Sequence, residues 1–178
     1  GGNIFYVDAN TLNVDYEVGG CPWTTCRAIA IDLSAGGVVQ YKVGNFSDNL
    51  ATMLWTVGPA NAMEMSQCAS PGAAYGLAYD TGNNGIWVTS ADYSGELYAI
   101  DPITCNLLNT YNMLPEVEIF GGACMAETSH GCNLWTLCQC SPTDAVFGWA
   151  TGGDNPFACG ATAVEPATWG SIKASYND

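Results

Sequence analysis

Short apolar runs alternate with polar turns most regularly between residues 75 and 113. The runs are GLAYD, GIWVTS, ELYAID and NLLNTYNM, and Asn, Gly, Asp, Ser and Pro fill the gaps between them. Runs of this length, rich in aromatic and β-branched residues and bounded by such turn residues, form strands joined by β-turns. The stretch therefore predicts a four-stranded antiparallel meander.

Copies of each run recur in the rest of the chain. First-strand copies are AIAID, GLAYD, CMAET and ATAVE, which carry the acidic residues Asp32, Asp80, Glu127 and Glu165. Second-strand copies are VVQYKV, GIWVTS, NLWTLC and, with a weaker pattern, TWGSIKA. Third-strand copies are NIFYVD, TMLWTV, ELYAID and AVFGWA. Four copies of one unit indicate a repeat architecture, in which each repeat forms the same supersecondary structure.

The order of the copies predicts how the repeats join. The chain begins with a third-strand copy, NIFYVD, followed by a fourth strand, and it finishes with first- and second-strand copies in residues 161–174. In a β-propeller, terminal strands that share one blade close the ring. We therefore predict an all-β fold, a small four-bladed β-propeller that forms a single domain over residues 1–178. One blade is split between the N- and C-terminal strands.

The motifs YGLAYDTGNNGIWVTS, ELYAIDPITC and NIFYVDANTLNV resemble the β-propeller repeats of the YVTN, NHL and gluconolactonase-like families. The resemblance implies a propeller fold. It implies no particular activity, because blades of this kind carry unrelated functions. Loops on one face of a propeller usually carry recognition, so we interpret residues 58–74 and 152–160 as irregular insertions that are candidate binding loops.

The charge of the chain narrows the classes of partner. Three basic residues oppose 17 acidic ones, which gives a formal net charge of −14. Nucleic acids and anionic lipids bind chiefly through cationic side chains, so this charge argues against both. No apolar run in the sequence is long enough to span a membrane. We expect the partner to be another protein or a second copy of this chain, with carbohydrate as the alternative.

Cysteine usage indicates the compartment. The nine cysteines accompany a single histidine, which favours disulfides over a metal site built from Cys-x-x-Cys pairs or several histidines. The disulfide candidates are Cys21, Cys26, Cys68, Cys105, Cys124, Cys132, Cys138, Cys140 and Cys159. Because nine is odd, at least one thiol is free or bonds another chain. Disulfides form in oxidising compartments, so we expect a secreted, extracellular protein, and the missing initial Met fits a processed mature form.

Two further features concern carbohydrate. Asn45-Phe46-Ser47 is an N-glycosylation motif, which predicts a glycosylated loop at Asn45 in a secreted chain. The tryptophans inside predicted strands are expected to pack between blades, and they are Trp55, Trp87, Trp135 and Trp149. Aromatic residues in or near predicted loops are the candidates for stacking on a sugar ring, and they are Trp23, Tyr93, Phe157 and Trp169.

Carboxylates recur at the end of the first-strand copies. If the four repeats are equivalent, Asp32, Asp80, Glu127 and Glu165 lie at one level of the ring, where they would form an oxygen-rich site for a hard cation such as calcium. The alternative is that each carboxylate opens the following turn by accepting hydrogen bonds from backbone N–H groups. The sequence leaves both interpretations open.

A catalytic set is not apparent in the sequence. His130, the only histidine, falls in a predicted turn, and the chain has neither a G-x-S-x-G motif nor a glycine-rich phosphate loop. We therefore predict a binding or structural module rather than an enzyme. Because the split blade needs strands from both ends, pairing between neighbouring chains would give a filament. The alternatives are a metal-dependent lactonase-like or hydrolase-like enzyme and a lectin-like propeller.

Overall fold

The protein is described by a computed structural model. It describes residues 3–32, 38–56, 58–80, 82–92, 94–113, 117, 119–126, 132–139, 144–151 and 157–158. Every regular element in these ranges is a β-strand, and the strands form four antiparallel sheets. In the same ranges there is no helix of the length and apolarity needed to cross a membrane. The prediction of an all-β fold is confirmed.

The strands fall into one hairpin and three four-stranded sheets. The N-terminal hairpin consists of β1 (Asn3–Val7) and β2 (Val14–Gly20). The first sheet contains β3 (Ala28–Asp32), β4 (Val38–Gly44), β5 (Asn49–Thr56) and β6 (Ala62–Ala69). The second sheet contains β7 (Ala74–Asp80), β8 (Gly85–Ser90), β9 (Glu96–Ile100) and β10 (Leu107–Asn112). The third sheet contains β11 (Phe120–Met125), β12 (Leu134–Cys138), β13 (Ala145–Ala150) and β14 (Phe157–Ala158).

Each four-stranded sheet is a meander, in which strands that follow one another in sequence are hydrogen-bonded neighbours. The runs AIAID, GIWVTS and AVFGWA coincide with β3, β8 and β13. The interpretation of residues 58–74 as an irregular insertion is wrong, because Ala62–Ala69 form β6. Residues 157–158, within the predicted insertion at 152–160, pair with β13 as β14. The last first- and second-strand copies, in residues 161–174, lie outside the described residues.

The sheets pack against one another in sequence order. One apolar core joins the hairpin to the first sheet, a second joins the first sheet to the second, and a third joins the second sheet to the third. Side chains that belong to these three cores include Val18 with Met53, Leu50 with Val88, and Leu97 with Leu134. The described chain is thus a series of four sheets with three interfaces.

Strand β8 shows how one strand serves two interfaces. Ile86 and Val88 belong to the core shared with the first sheet, whereas Trp87 belongs to the core shared with the third. Successive side chains of a strand point to opposite faces of its sheet. The run GIWVTS is therefore buried on both faces, and every residue of β8 is buried.

The leading strands of the three sheets lie side by side, with β7 between β3 and β11. The approach of β7 to β11 requires glycine at position 76, because a Cβ atom there would lie 2.3 Å from the backbone nitrogen of Ala123 and 2.6 Å from Oγ1 of Thr89. The second and third sheets are therefore in close contact through the backbones of their first strands, β7 and β11.

Disulfides support this arrangement. Cys68 of β6 is bonded to Cys105, in the turn after β9, so a covalent link joins the first and second sheets. Cys21 is bonded to Cys26 in the loop between β2 and β3. The buried Cys132 and Cys138 are also disulfide-bonded. Cys124 is a free, exposed thiol. The disulfides fit an oxidising environment.

Candidate interaction site

The turn after β1 is built around Asp8. Its Oδ1 accepts hydrogen bonds from the backbone N–H groups of Asn10 and Thr11, at 2.9 and 2.7 Å, and from the Thr11 hydroxyl at 3.0 Å. Leu12 closes the turn with a φ of 58°, and its N–H donates to the carbonyl oxygen of Asp8. The hydrogen bonds, that from the Thr11 backbone above all, hold the pKa of Asp8 below its ordinary value.

The turn after β9 repeats this arrangement. Oδ1 of Asp101 accepts hydrogen bonds from the N–H groups of Ile103 and Thr104, at 2.9 and 2.6 Å, and from the Thr104 hydroxyl at 2.9 Å. Cys105 occupies the position of Leu12 with a φ of 60°. Two turns with the same bonds at the same positions make β1 and β2 the counterparts of β9 and β10. The N-terminal hairpin is therefore equivalent to the outer half of the second sheet.

Equivalent positions in the two strands differ sharply in exposure. Tyr98 and Ile100 of β9 are 6% and 0% exposed, because they pack in the core between the first and second sheets. Their counterparts in β1, Phe5 and Val7, are 50% and 43% exposed. The side of the hairpin that corresponds to a covered side of the second sheet is thus uncovered.

Two neighbouring side chains extend this surface. Leu12 is 77% exposed, whereas its counterpart Cys105 is buried and bonded to Cys68. Val14, the cross-strand partner of Val7, is also exposed, as is its counterpart Leu107 in the second sheet. Phe5, Val7, Leu12 and Val14 together form what we call the uncovered face of the hairpin. Contiguous exposed apolar side chains of this kind mark interaction surfaces.

The opposite face of the hairpin packs on the first sheet and is partly covered by it. Ile4 packs on the core shared with the first sheet, and the ring of Tyr6 lies 6.0 Å from the ring of Trp55, between centroids. Leu97 and Ala99, their counterparts in β9, pack in the core shared with the third sheet. Strands β1 and β9 therefore both pack on the sheet that follows them in sequence. Among the sheets that the structure describes, the hairpin alone has its preceding side exposed.

The edge of β1 is also open within the described part of the chain. There β1 pairs with β2 alone, whereas β9 has β8 on one side and β10 on the other. A cleft of about 260 Å³ lies beside this edge, lined by Asn3 and Ile4 of the hairpin and by residues 27–29 at the start of β3. Unpaired backbone N–H and C=O groups at a strand edge can bind a further strand.

A cation is held at the rim of this cleft. The guanidinium carbon of Arg27 lies 4.2 Å from the ring centroid of Phe46, and that ring meets Tyr75 edge to face at 4.7 Å. Contact with an aromatic face restrains an arginine that is otherwise exposed. Arg27 is one of three basic residues in the chain.

The far end of the series of sheets presents a second apolar face. In β12, Leu134 and Cys138 face the second sheet and are fully buried, whereas Trp135 and Leu137 alternate with them and are half-buried. Val146, the cross-strand partner of Leu137, is half-buried as well. We call Trp135, Leu137 and Val146 the far face of the third sheet.

Asp80 is the predicted metal-site carboxylate whose side chain the structure describes. Its Oδ1 accepts hydrogen bonds from the N–H groups of Gly82 and Asn83, both at 3.1 Å. Its Oδ2 accepts from Nδ2 of Asn83 at 2.8 Å, Nε1 of Trp87 at 3.0 Å and Oγ1 of Thr151 at 3.2 Å. At Asp80 the structure thus favours the turn-opening interpretation, with five hydrogen bonds to one buried carboxylate.

These hydrogen bonds decide the charge state of Asp80. Burial alone would raise its pKa, but the bonds from Asn83, Trp87 and Thr151 outweigh burial and lower the pKa below its ordinary value. Because Thr151 follows β13, the carboxylate also links the second sheet to the third. Thr151 is fixed in turn by Asn133, which donates to its hydroxyl at 2.6 Å and accepts from its N–H at 2.9 Å.

The side chains of the other predicted metal ligands are not among those that the structure describes. Asp32 is described by its backbone at the end of β3, and Glu127 and Glu165 lie outside the described residues. The described side chains include no cluster of three or more Asp, Glu, His or Cys suited to a metal ion. The calcium site stays a prediction. His130 also lies outside the described residues.

The predicted sugar contacts have mixed outcomes. Trp23 is half-buried and packs on the core between the hairpin and the first sheet. Phe157 is described by its backbone in β14, and Tyr93 and Trp169 lie outside the described residues. Asn45 is buried, and its Oδ1 accepts hydrogen bonds from the N–H groups of Ser47 and Asn49 at 2.9 and 3.1 Å. Glycosylation at Asn45 stays a prediction.

Lys42 is a buried charged residue that the sequence did not single out. It is enclosed between the first and second sheets, and its Nζ donates to Oγ1 of Thr52 at 2.7 Å. Burial lowers the pKa of Lys42, and the charge of Asp101 opposes that effect. The alternation VVQYKV places Lys42 on one face of β4, but only the packed second sheet shows that this face is buried.

A comparison of the chain with protein-family models found no match, and neither did a comparison with curated proteins.

Proposed function

We propose that this chain is a secreted, disulfide-stabilised binding module with the arrangement of a four-bladed β-propeller. The observation that carries the proposal is the exposure of Phe5, Val7 and Leu12, since their counterparts in and beside the second sheet, Tyr98, Ile100 and Cys105, are buried. Exposed apolar side chains whose counterparts are buried by a neighbouring sheet indicate that another sheet packs on them. We expect the hairpin to bind the face of another sheet on this surface and a further strand at the edge of β1.

The strands that complete the hairpin come from residues 161–174 in this proposal. The hairpin corresponds to the third and fourth strands of a blade, and ATAVE and TWGSIKA carry first- and second-strand patterns. The open edge of β1 and the cleft between β1 and β3 are where these strands would lie. The resemblance to YVTN, NHL and gluconolactonase-like repeats supports the same arrangement.

The surface that covers the hairpin is the far face of the third sheet. Within one chain this contact closes a ring of four blades. Between chains the same contact joins the hairpin of one copy to the third sheet of the next, and a head-to-tail contact that does not close gives a filament. Both forms use the same surfaces, and the partner in the second form is another copy of this chain.

Replacing Phe5 with Asp tests the proposal, because a carboxylate in an apolar contact carries a large desolvation cost. The matched control is Leu108→Asp, since Leu108 is an exposed side chain on β10 of the second sheet. Sedimentation velocity over a range of concentrations and thermal unfolding are measured for the wild type and both variants.

The two forms give different results. A closed ring is monomeric, and Phe5→Asp lowers its unfolding temperature. A filament grows with concentration in the wild type, and Phe5→Asp keeps the chain monomeric with its unfolding temperature little changed. If Phe5→Asp and Leu108→Asp behave alike in both measurements, the uncovered face binds nothing and the proposal is wrong.

A further inference from the structure

Two tyrosine rings are stacked on the N-terminal hairpin. Tyr6 of β1 and Tyr16 of β2 are cross-strand partners. Their ring centroids lie 5.1 Å apart and their planes are within 7° of parallel. Tyr6 is 44% exposed and Tyr16 is half-buried, so both side chains reach the surface.

We propose that Tyr6 and Tyr16 are an oxidative cross-linking site, which a peroxidase with hydrogen peroxide joins through a dityrosine bond. The proposal does not depend on the function proposed above, because it rests on the geometry of the two rings alone. It assigns a covalent modification to a pair of residues that the binding role leaves unused.

The reaction balances with hydrogen peroxide as the oxidant. Each phenol loses one electron and one proton, and the two phenoxyl radicals form a carbon–carbon bond between the ring positions next to their hydroxyl groups. The hydrogen on each bonded carbon then moves to the oxygen of its ring, which restores both aromatic systems. In total the chain loses two hydrogen atoms, and one molecule of hydrogen peroxide is reduced to two molecules of water.

The surroundings hold the rings ready for this coupling. Hydrogen bonds between β1 and β2 fix the two backbones, and the ring of the buried Trp55 lies behind both tyrosines, with centroids 6.0 Å from Tyr6 and 6.3 Å from Tyr16. Two rings held in contact on one hairpin couple without an encounter between molecules, whereas coupling between two chains needs one.

The hairpin is also where a cross-link would matter most. An isolated two-stranded hairpin is marginally stable in water. The disulfide beside it, Cys21–Cys26, closes a loop and does not join β1 to β2. A bond between Tyr6 and Tyr16 would fix the register of the strands that carry the uncovered face.

The test treats the full chain, at low concentration, with a peroxidase and a limiting amount of hydrogen peroxide. A protease that cleaves before Asp separates Tyr6 from Tyr16, because Asp8 and Asp15 lie between them. We expect the intact monomer to lose the mass of two hydrogen atoms and to gain dityrosine fluorescence. After digestion, the peptides that contain Tyr6 and Tyr16 should remain joined.

Phenylalanine variants supply the controls. Tyr6→Phe and Tyr16→Phe keep a stacked ring but remove one phenol, so each should abolish the joined peptide. Tyr75→Phe should leave the yield of the joined peptide unchanged, because the ring of Tyr75 packs against Phe46. Circular dichroism checks that every variant is folded. The proposal is overturned if the wild type yields cross-links only between chains, or if either variant at position 6 or 16 still yields the joined peptide.

Discussion

The second sheet and the N-terminal hairpin contain the same structural unit in different surroundings. β9 and β10 turn through Asp101 as β1 and β2 turn through Asp8, with the same set of hydrogen bonds. The second sheet packs between the first and third sheets, whereas the hairpin packs on the first sheet alone. Local sequence thus sets the turn and the strands, while the neighbouring sheets decide which side chains are buried.

This difference has an energetic consequence. Burying a large apolar side chain contributes about 1.5 to 3 kcal/mol, so an uncovered strand forgoes much of what its sequence could contribute. The hairpin depends on the core that it shares with the first sheet through Ile4 and Val18. A sheet or strand that covers Phe5 and Val7 would add stabilisation on the other side.

The largest expected effect tests how closely the covered sheets are packed. In Gly76→Ala the new methyl group would meet the backbone of β11 at less than 3.0 Å, so β7 or β11 must move. We expect a loss of more than about 3 kcal/mol in the free energy of unfolding, measured by urea denaturation. Gly20→Ala in β2 is the control, because its Cβ would have no atom within 4 Å. Equal losses would contradict the close contact of β7 with β11.

The second prediction compares the loss of stability at two equivalent positions, Ile100 in β9 and Val7 in β1. Ile100→Ala leaves a cavity between the first and second sheets and should cost about 3 kcal/mol. Val7→Ala shortens a side chain that is 43% exposed and should cost under about 1 kcal/mol in the monomeric chain. Urea denaturation of both variants measures the difference. A Val7→Ala loss as large as that of Ile100→Ala would mean that the hairpin is covered on both sides in solution.

Asp80→Asn should lower the free energy of unfolding by about 2 kcal/mol at neutral pH, because it removes a buried charge that accepts several hydrogen bonds. The folded-state pKa of Asp80 lies below the ordinary value of 3.8, so the carboxylate stabilises the fold above that pH. This contribution is lost as the pH falls through the folded-state pKa.

Urea denaturation at neutral pH and below pH 3.8 checks this pH dependence. The gap in stability between wild type and Asp80→Asn should narrow in acid. Asp144→Asn is the control, since Asp144 is exposed before β13. A gap that stays constant with pH would show that the charge of Asp80 is not what stabilises the link to the third sheet.

The smallest expected effect concerns the repeated turn. Thr11→Ala and Thr104→Ala each remove a hydroxyl that donates to the aspartate of its turn, at 3.0 and 2.9 Å. We expect equal, small losses of thermal stability, below those of the variants above, because these bonds lie at the surface. Differential scanning calorimetry measures both. Clearly unequal losses would weaken the equivalence of the hairpin with the outer half of the second sheet.

Much of the fold could be predicted from local patterns. Strands β3, β8 and β13 were predicted to the residue, because their apolar runs end at turn residues. Strand β6 was missed, since most of its side chains are exposed and its sequence lacks a buried face. The sequence indicates that the N-terminal strands belong to a split blade, but it does not indicate which of their side chains are exposed. Phe5 and Val7 follow the same pattern as Tyr98 and Ile100, and nothing local distinguishes a strand that a neighbouring sheet covers from one that is left open.

Local sequence sets the repeated unit, its turns and the antiparallel order of strands, because short-range sterics and turn hydrogen bonds act within a few residues. Three features arise from the packing of the sheets: the bond of Cys68 to Cys105, the hydrogen bond that Asp80 accepts from Thr151, and the exposure of one side of the hairpin. These features join residues far apart in the chain. They depend on how whole sheets pack, and apolar packing is non-directional, so a local pattern records which residues can be buried but not what buries them.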